Sequence, residues 1–316
     1  MKTKTSLVRN SSAILILSIL SLSILVYPAI GAAPHSGQPA PSDPIQVTPL
    51  SPDIVGGSLV TPGKYPYHVA LVDASESDAY WAYTCGGTLI HPEWVVTAAH
   101  CVQDESNGRI TRPSDLEILV GALRLNTTDG TRIGVSQVIP HTDFLNESDK
   151  DIALIHLSLP AVLGSKVQTI PIVDSPNSPW IAPGTQSVVT GWGTTWSIGF
   201  FWEEQLREVT VPIVSNYVCQ LSYNDMGVAI TDNILCAGEA GQDACYGDSG
   251  GPLVVPNATS TGFLLAGVVS FGHNDGCGAN GRYGGYTRAP SFRDWINSTT
   301  GQALATIKIY LSLVIR

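Results

Sequence analysis

The sequence has no basic stripe, no strict repeat, no Cys-x-x-Cys pair and little sustained helical periodicity before its C-terminus. Each absence excludes something. Lys and Arg number 16 against 26 Asp and Glu, a formal net charge of -10, and the acids are scattered. A field of that sign repels a phosphate backbone, so no nucleic-acid partner is expected. Zinc sites built on closely spaced cysteine pairs are disfavoured, and no metal or other cofactor is expected. The 31 glycines and 21 prolines occur without a repeat and point to short strands joined by tight turns, not to a helical bundle.

What is present begins with an address. Lys2, Lys4 and Arg9 precede an apolar run over residues 13–26, and Gly31, Ala32 and Ala33 follow. This is the layout of a secretory signal peptide over 1–32, cleaved within 31–33. The run is short for a membrane span of about 20 residues, so a secreted, extracellular protein is expected. Residues 33–53 carry Pro34, Pro39, Pro41, Pro44, Pro49 and Pro52 and read as a propeptide that does not fold alone. An oxidising compartment turns the six cysteines into disulfide partners, and six allow 15 pairings among which the sequence itself does not choose. Sequons at Asn126, Asn146, Asn257 and Asn297 predict glycosylation on surface loops.

From Ile54 the texture changes. Short β-rich runs recur at 94–97, 116–120, 152–157, 187–190 and 263–270, bounded by Gly, Pro, Asn and Asp. That spacing predicts an all-β fold, a sandwich or a barrel. The proline-punctuated stretch 159–183 reads as a connection between two halves, and 292–297 as the start of a terminal helix. Residues 303–315 are apolar but interrupted by Lys308. They are too short to span a membrane as a helix, so no membrane association is expected.

Three segments carry chemistry. In Gly247-Asp248-Ser249-Gly250-Gly251-Pro252, glycines would present a serine hydroxyl on a sharp turn, and that hydroxyl needs a base to become a nucleophile. Thr97-Ala98-Ala99-His100-Cys101 offers an imidazole that titrates near neutrality. Asp151 opens the apolar run Asp151-Ile152-Ala153-Leu154, and a carboxylate so placed needs a partner such as the second imidazole nitrogen.

Together, in the chain order His, Asp, Ser, these segments resemble the chymotrypsin–trypsin family and differ in order from subtilisin-like and α/β-hydrolase triads. Ile54-Val55-Gly56-Gly57, Gly191-Trp192-Gly193 and Ser270-Phe271-Gly272 extend the likeness from residue 54 to about 297. The resemblance implies a secreted serine endopeptidase made as a zymogen. Its fold would be two six-stranded antiparallel Greek-key β-barrels with a C-terminal helix. The peptidase domain would then run over 54–316, with barrels at 54–165 and 166–298 and a tail at 299–316.

The resemblance also implies roles. His100, Asp151 and Ser249 form the catalytic triad, and the Gly247 and Ser249 N–H groups form the oxyanion hole. Ser270 supports Asp151, and residues Ser270, Phe271 and Gly272 pair with an extended substrate. Cys85–Cys101, Cys219–Cys236 and Cys245–Cys277 are the implied disulfides. Asp243 lies at the base of the primary pocket, with Ala244 beside it and Gly272 and Gly284 as its walls, for cleavage after Arg or Lys. Ala244 removes a hydroxyl that would help hold an ammonium group, so Arg is expected over Lys. Cleavage at Asp53-Ile54 frees an Ile54 ammonium to pair with Asp248. Because Asp53 is not basic, a separate activating protease is expected. The other implied partners are protein or peptide substrates and proteinaceous serine-protease inhibitors, with the enzyme itself a monomer. Ala122, Leu123 and Arg124 after Gly121 make a poor calcium loop. The alternative function is a catalytically inactive homologue acting as a binding or decoy protein, but no triad residue is replaced.

Overall fold

A computed structural model describes residues 54–194, 202–257 and 262–301. The segments expected to be a signal peptide and a propeptide, and residues 302–316 of the expected tail, lie outside the described residues. A two-residue strand β1 (Ser58–Leu59) comes first. Strands β2 (His68–Asp73), β3 (Tyr83–His91), β4 (Trp94–Thr97), β5 (Leu116–Val120), β6 (Thr131–Pro140) and β7 (Ala153–Leu157) then close a barrel in the order β2-β3-β4-β7-β6-β5. Strands β8 (Gln186–Gly191), β9 (Arg207–Val214), β10 (Ile234–Ala237), β11 (Pro252–Pro256), β12 (Phe263–Phe271) and β13 (Gly284–Arg288) run β9-β10-β13-β12-β11-β8. Pairing of β8 with β9 closes that sheet into a second six-stranded antiparallel barrel, with β1 added at the edge of β9. The double barrel expected from the resemblance is therefore the observed fold.

The alternation of side chains explains the closure. Along β9, Val209, Val211 and Ile213 are buried while the residues between them are less so, which gives the second barrel one apolar face. The first barrel is filled by Val69, Leu71, Leu89, Val95, Ile118 and Ile155, all without exposed surface. A third apolar layer, with Tyr65, Trp192, Val254, Leu265 and Phe292, lies between the two barrels. The cleft between them is thus fixed by packing, not by a flexible linker. The connecting stretch expected at 159–183 has no strand, only a 3-10 turn at Pro179–Ile181 and a bridge from Ile172 to Leu265.

Three short α-helices complete the described residues. Helix α1 (Ala79–Ala82) interrupts the loop before β3, with the Asp78 side chain accepting from Tyr80 N at its start. Helix α2 (Asn216–Tyr223) is capped by Ser215 and buries Cys219 and Tyr223. Helix α3 (Arg293–Thr300) ends at Gly301, whose φ of 65° closes it. Its flanking Phe292 and its own Trp295 pack on His141 at 5.6 and 5.0 Å. Disulfides join Cys85 to Cys101, Cys219 to Cys236 and Cys245 to Cys277. Among the described residues no helix is long and apolar enough to cross a membrane.

Candidate active site

The serine turn lies in the loop between β10 and β11. Gly247 (φ 91°) and Gly250 (φ 77°) occupy the left-handed region, which a side chain there would resist. Between them Asp248 is fully buried, with Oδ1 accepting from Gly193 N and Oδ2 from Cys245 N, each at 2.8 Å. Burial pushes its carboxyl up to about 7, against the pull of those two N–H groups. A Cβ on either Gly191 or Gly193 would collide with that carboxylate, which gives Gly191-Trp192-Gly193 its physical reason. Ser249 is half-buried, and its carbonyl accepts from Gly86 N of β3 at 2.8 Å, tying the turn to the first barrel. Among the described residues neither the Gly247 nor the Ser249 N–H is used in a hydrogen bond.

His100 stands in a 3-10 turn (Ala99–Cys101) after β4, where Ala98 and Ala99 are small enough to be wholly buried. Asp151 follows another such turn and precedes β7. Its Oδ2 lies 2.7 Å from His100 Nδ1, its Oδ1 accepts from His100 N at 2.9 Å, and Ser270 Oγ donates to Oδ2 at 2.6 Å. The carbonyl of Asp151 accepts from Thr287 Oγ1 at 2.6 Å. Burial disfavours the imidazolium, but the hydrogen bond and charge of Asp151, helped by Glu105, outweigh it and raise the His100 pKa above its usual value. His100 Nε2 lies 3.8 Å from Cys101 Sγ, and among the described residues the Ser249 hydroxyl makes no hydrogen bond to the ring. Cys85, His100 and Cys101 cluster, but both sulfurs are joined in a disulfide and offer no thiolate to a metal.

A cavity of about 270 Å³ opens beside Ser249, lined among others by Asp243, Ala244, Ser270, Gly272 and Gly284. Asp243 is 4 % exposed; its Oδ2 accepts from Gly278 N at 3.2 Å, while its Oδ1 is buried without a partner. Burial pushes this carboxyl up to about 7. A Cβ on Gly284 would meet that oxygen at 2.7 Å, and one on Gly272 meets nothing within 4 Å. The first glycine makes room for the acid, and the second leaves open space. Asp243 N also donates to Val55 O at 3.3 Å, so the start of the domain touches the pocket loop.

A second cavity of about 360 Å³ lies on the His100 side, lined by His100, Glu105, Phe144, Asp149 and Met226. The two cavities share Ser270, Phe271 and Gly272 as a common wall. Asp243, Ala244, Ser249, Ser270, Phe271, Gly272 and Gly284 line the first cavity, and His100 and Asp151 line the second, whereas Cys219 and Cys236 line neither and sit in a cluster with Tyr223 and Ile234. Sequence reasoning missed Tyr83, whose hydroxyl donates to Gly247 O at 2.7 Å, and Trp202, whose ring covers Gly247. It also missed His273, in the wall of the first cavity between Asp225 and Asp275. The only local signal was an aromatic two residues before Cys85.

Two barrels with a serine, a histidine–aspartate pair and an acid-based cavity at their junction define a class of serine hydrolases. The comparisons give the family. The family model described as Trypsin matches residues 54–296. Tryptase of Mus musculus is 37 % identical over 287 residues, covering 88 % of this chain and 97 % of that protein. Anionic trypsin of Canis lupus familiaris is 38 % identical over 259 residues, 80 % of this chain and 92 % of that protein. Clotting factor C of Tachypleus tridentatus is 34 % identical over 277 residues, 83 % of this chain but 27 % of that longer protein. The chain belongs to the trypsin family and is a trypsin-like serine endopeptidase acting on protein or peptide substrates.

Proposed function

We propose that this endopeptidase cleaves peptide bonds after Arg or Lys through Ser249, His100 and Asp151, and that it is secreted as a zymogen activated before Ile54. The observation that carries the specificity is the Asp243 carboxylate: buried, with one oxygen unpartnered, at a cavity beside Ser249. A buried carboxylate without a counter-ion is costly, and a substrate guanidinium supplies both charge and paired donors. An apolar side chain would leave the acid unpaired. With Ala244 in place of a hydroxyl donor, Arg is favoured over Lys.

Ser249 attacks the scissile carbonyl while His100 takes its proton at Nε2 and returns it to the leaving amine. Asp151 holds the ring through Nδ1 and stabilises the imidazolium. The unused N–H groups of Gly247 and Ser249 receive the oxyanion. The ester intermediate is then hydrolysed by water with the same proton transfers in reverse order.

Asp248 supports the activation reading. It is buried with two N–H donors and no cation among the described residues, and a new Ile54 ammonium would supply that cation. Because Asp53 would be repelled by Asp243, the activating protease is a different enzyme. The test is covalent labelling by a serine-directed phosphonate carrying an amidine, applied to protein that begins at Ile54. Stoichiometric labelling that disappears in Ser249→Ala supports the reading. An unlabelled, folded, disulfide-bonded protein contradicts it.

A further inference from the structure

We propose that Tyr83 and Trp202 are positioning residues for the Gly247 turn. The Tyr83 hydroxyl holds the Gly247 carbonyl and the Trp202 ring backs its Cα, so that its N–H, on the peptide that Thr194 anchors, stays aimed into the cleft. This inference rests on the reading above, in which that N–H stabilises the oxyanion.

Two peptide planes meet at Gly247. In the first, Tyr246–Gly247, the Tyr246 carbonyl accepts from Thr194 N at 2.7 Å. A trans peptide points its C=O and N–H in opposite directions, so this bond turns the Gly247 N–H away from Thr194. In the second plane, Gly247–Asp248, the carbonyl accepts from Tyr83 Oη at 2.7 Å and the N–H donates to Cys245 O at 3.0 Å. Gly247 itself sits at φ 91°, a conformation that glycine leaves easily because nothing on Cα restrains it. Its orientation therefore depends on the groups that grip its flanking peptides.

The grip on the second plane comes from the other barrel. Tyr83 is the first residue of β3, is 3 % exposed, and is separated from Gly247 by 164 positions. Its ring packs edge-on against Trp192 at 5.8 Å and Trp202 at 5.7 Å. The Trp202 ring lies so close to Gly247 that a Cβ there would meet it at 2.5 Å. Trp202 is held in turn by Tyr80 of α1, whose hydroxyl donates to Trp202 O at 3.1 Å. Burial and the nearby charge of Asp248 keep the Tyr83 phenol protonated, so it remains a donor at every working pH.

Removing one oxyanion donor from such a site costs roughly 10²–10³ in rate. Loosening a donor without removing it costs less, and about tenfold is expected for Tyr83→Phe, which deletes one oxygen and keeps the ring. The test uses protein that begins at Ile54 and compares wild type, Tyr83→Phe and Trp202→Leu. Three quantities are read: kcat and KM on an arginyl amide, affinity for a peptidyl arginine aldehyde, and affinity for benzamidine. The aldehyde forms an oxyanion with Ser249, whereas benzamidine fills only the Asp243 cavity.

The expected result is a kcat about tenfold lower, KM within twofold, aldehyde affinity weakened by the same factor as kcat, and unchanged benzamidine affinity. An unchanged kcat with a lower melting temperature overturns the proposal, as does an equal loss of aldehyde and benzamidine affinity. If Tyr83→Phe does not fold, Trp202→Leu is judged by the same criteria. If wild type turns over nothing, the functional reading fails first, and hydrogen exchange at the Asp248 amide, which donates to Cys245 O in the plane that Tyr83 grips, decides. Faster exchange in the variants supports the grip, and unchanged exchange overturns it.

Discussion

Asp243 and Asp248 are two buried acids on one loop, each pushed up to about 7 by burial and each lacking a cation among the described residues. They invite different partners, a substrate side chain for the first and the chain's own new terminus for the second. For Asp243 the sign follows from linkage. A bound cation favours the ionised acid, so binding must release a proton below pH 7 and weaken as pH falls. Benzamidine affinity, measured by calorimetry between pH 5 and 8, is expected to be flat above about 7 and to fall by up to about tenfold per pH unit below it. Pocket affinity that does not vary over that range contradicts the assignment.

His100 has its pKa raised, and only the neutral ring accepts a proton. The rate on an arginyl amide should therefore rise with pH through a midpoint above about 6.5, the ring's ordinary value. Ser270→Ala takes one donor from Asp151 Oδ2 and leaves that carboxylate more strongly charged toward the ring. The midpoint should move further up, and a downward move would contradict the role given to Ser270.

At the scale of elements, the loop between β5 and β6 has its own fastener. Asp129 accepts from Leu123 N at 3.0 Å and from Lys166 Nζ at 2.9 Å, so an ammonium group from a distant segment closes the turn. Lys166 is two-thirds exposed, which keeps the contribution small. Lys166→Ala should speed hydrogen exchange at 122–130 while leaving kcat within twofold. Unaltered exchange there would show that the backbone alone holds the loop.

Elements also show what the sequence could and could not say. The runs at 94–97 and 116–120 coincide with β4 and β5 because their β-branched residues are bounded by Pro, Asp and Gly. Helix α1 has four residues and α2 eight, too short for a periodic pattern to emerge. The residues of the cleft were legible because their motifs are local: Gly247 to Pro252 is one run, and Ala98 to Cys101 another. Tyr83 and Trp202 were not, because their function exists only where β3 meets a loop 119 positions later. The specificity acid was legible as a residue, but its unpartnered oxygen is a fact of packing alone.

Across the described residues, the two barrels supply different halves of the proposed site. His100 and Asp151 come from the first, Ser249 and Asp243 from the second, and the apolar layer between them sets the spacing. Activation should act on the same scale. Asp248 has a folded pKa near 7 against about 3.9 in an unfolded chain, so its stabilising contribution is full below about 3.9 and is lost as pH rises through 7. A paired Ile54 ammonium lowers the folded value and removes that loss. The melting temperature of protein beginning at Ile54, minus that of the uncleaved chain, should therefore grow between pH 5 and 8. A difference independent of pH would contradict the pairing.

The most direct test of the central claim is hydrolysis of matched peptide amides ending in Arg, Lys, Phe or Ala by protein that begins at Ile54. Turnover is expected after Arg and, more slowly, Lys, with negligible turnover after Phe or Ala and none at all in Ser249→Ala. Preferred cleavage after Phe, or full activity in Ser249→Ala, would contradict it.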